Sequence, residues 1–270
     1  MAAFEITGEG ARSTSLGGAF AAAVNSVAAV WHNPAGNGRM KEWQGGLTQA
    51  LLHPGLEELL SVHGLAFAGP VGNGVLQAGL SLLSAEGWQE NVTVVGYGRA
   101  LHPRLALGGV VRTSAWQAGS WSRRVWSVDM SGIYDVGFVH PRAFLRLGWI
   151  LKDLHRANTA VGGQAAGRLS RGLVLAASLE FGGRQVLMDL ERRDGRTELR
   201  MGYETSVISL FGARIRVGGV GFGSGWSGKD VSVGIGNDWK RWHFDYAYTY
   251  PLRVSALGGL HRLSLRHSWR

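Results

Sequence analysis

The stretch WHFDYAYTY, Trp242–Tyr250, puts Trp242, Phe244, Tyr246, Tyr248 and Tyr250 at every second position, with His243, Asp245, Ala247 and Thr249 between them. Successive side chains of an extended chain point to opposite faces, so this spacing builds a strand with one aromatic and one polar face. The next segment repeats it: Leu263, Leu265 and Trp269 alternate with Arg262, Ser264, Arg266 and Ser268. Further back, Leu145, Leu147, Trp149 and Leu151 oppose Phe144, Arg146, Gly148 and Lys152, and Phe211, Ala213, Ile215 and Val217 oppose Gly212, Arg214, Arg216 and Gly218. Period two runs from Trp43 to the end. It predicts strands near 43–53, 60–71, 74–84, 91–101, 105–116, 124–136, 142–153, 160–180, 184–192, 197–205, 208–219, 230–238, 241–250 and 260–269.

The connections alternate as well. VGNG, LHPR, FGGR and NDWKR are tight, whereas HPGLEE, SAEGWQEN, QAGSWSR, GFGSGWSGKD and YPLRVSALGG are longer. Short turns at one end and longer loops at the other are the habit of an all-β, up-and-down transmembrane barrel, and strands of about ten residues span a bilayer when tilted. The competing architecture is a soluble β-sandwich, whose polar face would carry Lys and Glu. Here charged residues are only 17%, the polar face is Arg, Ser, Gly and Asp, and aromatics gather near strand ends as in an interfacial girdle. The 42 glycines would weaken an ordinary sheet but leave room for a plug within a barrel.

In that barrel the apolar set faces lipid and the polar set faces the lumen. Arg112, Arg146, Arg200, Arg214, Arg216, Arg262 and Arg266 then share a confined space with Asp129, Glu180, Asp189, Glu191 and Asp245. Confined opposite charges pair, which predicts a filled, networked interior. No stretch approaches the roughly 18 apolar residues of a membrane-spanning helix. The absence of Cys excludes disulfides and thiolate metal sites. The start, MAAFEITGEGAR, has neither a basic n-region nor an apolar h-region, so the expectation is a mature form with an added Met.

The first forty residues stand apart as a hatch, 1–40, ahead of a barrel domain, 41–270. SLGGAFAAA predicts a short helix with very small side chains, and NPAG a tight turn. Phe20, Val24, Val27, Val30 and Trp31 supply an apolar periodicity to bury. GARSTSLGGAFAAAVNSVAAVWHNPAG, residues 10–36, resembles the start of the FadL/PorV superfamily of outer-membrane barrels. FDYAYTYPLRVSALGGLHRLSLRHSW, residues 244–269, resembles the close of its PorV-like and PorQ-like members. Arg12, Gly17, Gly18, Ala19, Phe20, Asn33, Pro34, Ala35 and Gly36 match the common N-terminal pattern. The acidic residues usual before that turn are replaced by Val24, Asn25 and Ser26.

The resemblance implies a fourteen-stranded barrel with an N-terminal hatch in the bacterial outer membrane, in contact with its lipid and lipopolysaccharide. FadL members pass fatty acids or other hydrophobic compounds. PorV-like members hand on secreted proteins in type IX secretion. The leading expectation is therefore binding or transport of a hydrophobic small molecule, with hatch mobility supplied by Gly17, Gly18 and the turn at Asn33–Gly36. The alternative is an adaptor barrel that holds secreted or surface proteins. Neither reading needs a cofactor, a metal or catalysis.

Other motifs lead elsewhere and fail. GSGWSGKD, Gly223–Asp230, approaches a phosphate-binding loop, but Asp230 stands where Ser or Thr would hold magnesium and a strand follows. The nine His form no metal-spaced cluster, although His243 and His261 are expected on adjacent strands. The net charge of +9 suits anionic partners. The aromatics lie on the face opposite the Arg residues, which excludes a single-strand nucleic-acid binder.

Overall fold

In a computed structural model, the described residues are 9–23, 25–52, 60–157, 169–206, 213–222, 229–252 and 258–270. They form fourteen strands: β1 Trp43–Leu52, β2 Leu60–Val71, β3 Gly74–Ala85, β4 Trp88–His102, β5 Leu105–Ala118, β6 Trp121–His140, β7 Ala143–Lys152, β8 Gly172–Phe181, β9 Arg184–Arg193, β10 Arg196–Thr205, β11 Ala213–Phe222, β12 Asp230–Trp239, β13 Trp242–Pro251 and β14 Leu260–Trp269. Each strand pairs antiparallel with its sequence neighbours, and β1 closes onto β14 with Trp43 opposite Trp269. Closure leaves no free sheet edge, which is how a sheet satisfies its backbone within a membrane.

Alternation sorts the side chains as the sequence predicts. Leu47, Leu65, Val95, Val111, Met130, Leu175, Met201, Val233 and Leu263 project outward and are exposed, whereas their neighbours Ala50, Ala66, Val94, Asp129, Asp189 and Arg262 point inward and are buried. Trp43, Phe67 and Trp269 cluster at one end of the barrel, with ring centroids 5.2 and 5.8 Å apart.

That end carries the chain reversals 72–73, 103–104, 141–142, 182–183 and 240–241, and we call it the turn end. The opposite, loop end departs from expectation at two places. SAEGWQEN and QAGSWSR are not loops: two-residue reversals at Glu86–Gly87 and Gly119–Ser120 suffice, because Gly87 (φ 71°) and Gly119 (φ 55°) accept left-handed backbone. The residues assigned to loops lengthen β4, β5 and β6 to 15, 14 and 20 residues. HPGLEE, most of GFGSGWSGKD with its phosphate-loop lookalike, the middle of YPLRVSALGG, the 160–168 half of the long eighth segment, and residues 208–212 with Phe211 and Gly212 lie outside the described residues. The eighth strand itself is Gly172–Phe181.

Residues 9–23 and 25–40 run inside the ring of strands. The helix there is α1, Ala11–Ser15, and not SLGGAFAAA. Gly17 (φ 65°) and Gly18 (φ 76°) stop it one turn early, since both backbones lie in the left-handed region. Two short 3-10 turns follow, Val27–Trp31 and Pro34–Asn37. Asn33 caps the second through its side chain, which accepts from the Ala35 amide at 3.0 Å.

Candidate functional site

The N-terminal segment rests on a belt of inward-facing strand glycines. A Cβ on Gly46 of β1 would stand 2.9 Å from Val27 Cγ1, on Gly79 of β3 2.5 Å from Trp31 Cζ2, and on Gly108 of β5 2.5 Å from the Ala35 amide. On Gly148 of β7 it would stand 2.7 Å from the Ala21 carbonyl, and on Gly202 of β10 2.7 Å from Leu16. Gly98, Gly218 and Gly234 meet Pro34, Leu16 and Ser15 in the same way. Eight strands thus give up a side chain where the segment passes.

Polar side chains latch the segment to that wall. The Asp189 carboxylate accepts from the Phe20 and Ala21 amides, both at 2.9 Å, and its other oxygen is enclosed without a partner among the described residues. Asn33 Nδ2 donates to the Ala21 carbonyl at 2.6 Å, and Gln77 Nε2 to the Pro34 carbonyl at 2.8 Å. Asn37 Nδ2 donates to the Ser26 carbonyl at 2.9 Å and to Gln77 Oε1 at 3.0 Å. Gln44 accepts from the Val27 amide at 3.0 Å, and Ser264 from the Ala11 amide at 2.6 Å. Arg12 reaches Glu204 at 2.9 Å. Burial works against the Arg12 charge, but Glu204 beside it overcomes this and holds the guanidinium above its ordinary value.

The lumen has two unlike sides. From β5 to β14 it is ionic. Arg112 meets Asp129 at 2.9 Å, Arg146 meets Asp135 at 2.8 Å and Glu180 at 2.7 Å, and Arg200 meets Glu191 at 2.9 Å. Arg216 bridges Glu204 and Asp245, and Arg214 pairs with Asp238. Arg262 and Arg266 do not behave as expected: among the described residues neither has a carboxylate within ion-pair distance. Arg262 donates to the Glu9 backbone carbonyl at 2.7 Å. His243 and His261 lie on adjacent strands, as expected, but on opposite faces. His243 faces inward against Asp238, while His261 faces outward and hydrogen-bonds the Tyr246 hydroxyl at 2.8 Å, because equal parity on adjacent strands does not guarantee a common face.

On β1–β4 the inward side chains are mostly small or apolar, interrupted by Gln44, Thr48, Gln77 and Ser81, and among the described residues Glu90 is the one Asp, Glu, Lys or Arg facing inward there. At the loop end Ala50, Leu52, Val62 and Leu83 form a cluster joined by Leu60, Trp88 and Leu260. Trp88 stacks on Trp116 with centroids 5.1 Å apart. Toward the middle, Ala66, Ala68, Val75, Val92, Val94 and Val110 surround Val27, Val30, Trp31 and Met40 of the segment. Trp31 lies within this apolar cluster on the β1–β4 side, seated over Gly79, with its Nε1 enclosed and unbonded among the described residues. Its neighbour His32 packs on Phe20 at 5.1 Å, and its Nε2 is likewise enclosed and unbonded. Burial pushes the His32 imidazole down to about 4, with Glu9 opposing and Lys152, Arg200 and Arg262 adding to the shift.

Of the residues singled out in the sequence, Arg12, Gly17, Gly18, Ala19, Phe20, Asn33, Pro34, Ala35 and Gly36 lie on the segment inside the ring, and Asp189, expected in the lumen charge network, accepts from the segment backbone instead. The sequence did not single out Trp31 or Gln77 for their contacts here. Gln77 was legible as a lone amide at an inward position between Val75 and Gly79. Among the described residues no group of His, Asp or Glu could hold a metal ion, and no helix is long and apolar enough to cross a membrane.

No protein-family profile matches the sequence, and no curated protein matches it. Solved structures do match in shape. A TodX monoaromatic hydrocarbon channel with its deltaS2 mutation superposes with a TM-score of 0.69 at 12% identity, over 99% of this chain and 100% of that one. The Ralstonia pickettii toluene transporter TbuX gives 0.65 at 13%, over 99% of both chains. A Pseudomonas aeruginosa FadL homologue gives 0.61 at 10%, again over 99% of both. In fold, the chain is a FadL-type fourteen-stranded barrel.

Proposed function

We propose that the protein is an outer-membrane channel for a small hydrophobic molecule, with residues 1–40 acting as its hatch. The observation that carries this reading is the pair of apolar clusters on the β1–β4 side, one of which holds Trp31 of the N-terminal segment. The fold shared with hydrocarbon and toluene channels adds support. A hydrophobic solute leaves water at the loop end for the surface of Leu52, Val62, Leu83 and Trp88, which costs no desolvated polar group. It then displaces Trp31 toward the turn end. The ionic side opposite holds the rest of the segment in place and keeps the barrel from filling with bulk water.

The test is uptake of toluene and of a long-chain fatty acid into vesicles containing the purified barrel. Truncating Trp31→Ala removes that side chain and raises uptake of at least one probe severalfold, although the lost packing costs about 3–5 kcal/mol locally. Equal uptake by both proteins and by empty vesicles would contradict the channel reading. A stoichiometric protein partner in the native extract, with no uptake, would favour the adaptor.

A further inference from the structure

The outer face of β4–β6 changes character row by row toward the loop end. Val95, Val111 and Val128 stand side by side across the three strands, and the next row is Thr93, Thr113 and Trp126. Beyond it come Asn91, Ala115 and Arg124, then Gln89, Gln117 and Ser122. All twelve face away from the lumen. Trp126 is 56% exposed and stacks on His155 with centroids 4.0 Å apart. An exposed Trp between an apolar and a polar band marks a membrane–water interface.

The two polar rows therefore stand just outside the apolar band. They exist because β4, β5 and β6 are 15, 14 and 20 residues long, beyond the 10 of β7–β10. Ala115, small between Asn91 and Arg124, leaves a concavity of about 520 Å³ lined by the two polar rows together with Trp116 and Arg123 of the opposite parity. Among the described residues Arg124 makes no ion pair, and the side chains of Gln89, Asn91, Gln117 and Ser122 make no hydrogen bond. A ready set of amide donors and acceptors around one free guanidinium, separated from a wall of valines by the row of Thr93, Thr113 and Trp126, has the layout of a glycolipid turned on end.

We propose that this concavity binds the phosphorylated sugar headgroup of an outer-leaflet glycolipid. Arg124 takes the phosphate through its planar fork of donors. Gln89, Asn91 and Gln117 meet the sugar hydroxyls and amides. The acyl chains lie along Val95, Val111 and Val128. The inference rests on the outer-membrane reading above.

The purified barrel is placed in phosphatidylcholine vesicles carrying lipid A, either bisphosphorylated or dephosphorylated, and bound lipid is counted by native mass spectrometry. The wild type retains the bisphosphorylated form about tenfold better. Arg124→Glu abolishes that preference, the Asn91→Leu, Gln117→Leu pair weakens both forms, and Arg192→Glu, outward-facing on β9, changes nothing. No preference in the wild type, or a preference that survives Arg124→Glu, would overturn the site. Failure of the chain to insert as a heat-resistant barrel would overturn the membrane reading together with the site, whereas an inserted barrel without preference overturns the site alone.

Discussion

Two adjacent residues of the N-terminal segment, Trp31 and His32, each bury a ring nitrogen that bonds nothing described. An enclosed polar group without a partner costs stability, so both positions are poised for release. His32 gives that a pH dependence. A free imidazole titrates near 6.5, and the enclosed one near 4. Between those values the undocked segment binds a proton that the docked one refuses. Docking is therefore complete above about pH 6.5 and weakens as pH falls toward 4. Glu9 favours protonation, while burial, Lys152, Arg200 and Arg262 oppose it. Hydrogen exchange of residues 27–40, corrected for intrinsic rates, should rise across that window in the wild type and stay flat in His32→Gln. A flat wild-type profile would exclude His32 as the titrating group.

At the scale of elements, β9 latches the segment backbone through the Asp189 carboxylate, beside Gln185, whose Oε1 accepts from Arg12 at 3.2 Å. Asp189 satisfies two consecutive amides just beyond the paired glycines, where no helix remains to satisfy them. Asp189→Ala should loosen the segment by about 3 kcal/mol, which raises trypsin cleavage after Arg12 about a hundredfold. The barrel itself stays intact, since β9 keeps its pairing with β8 and β10. Unchanged cleavage would mean that other latches suffice. The strands were legible because alternation is a local property: WHFDYAYTY needs no partner to declare its faces. The helix was not, because SLGGAFAAA has good helical composition apart from the two glycines that the wall bends into left-handed backbone. The false loops at SAEGWQEN and QAGSWSR have the same origin. Polar residues beside a turn read as loop, yet here they are strand that runs on past the apolar outer band.

At the scale of the whole molecule, the even count of strands, the lumenal charge and the small-residue segment all follow from the order of residues. What the sequence alone does not reveal is the division of the lumen into two sides. Ala66, Val75, Val92 and Val110 occupy polar-face positions in the alternation, and only closure of the barrel brings them together against Trp31. The glycine belt is similar: Gly46, Gly79, Gly108, Gly148 and Gly202 are scattered along the chain, and their common purpose appears once β1 meets β14. On the channel reading, the segment must move for a hydrophobic solute to pass. The chain has no cysteine, so an engineered disulfide has no competitor. Val27 Cγ1 lies 2.9 Å from where a Gly46 Cβ would stand, which suits a Val27→Cys, Gly46→Cys bridge. Toluene uptake into vesicles should stop when that pair is oxidised and return when it is reduced; uptake at the reduced rate with the bridge fully formed would contradict the claim.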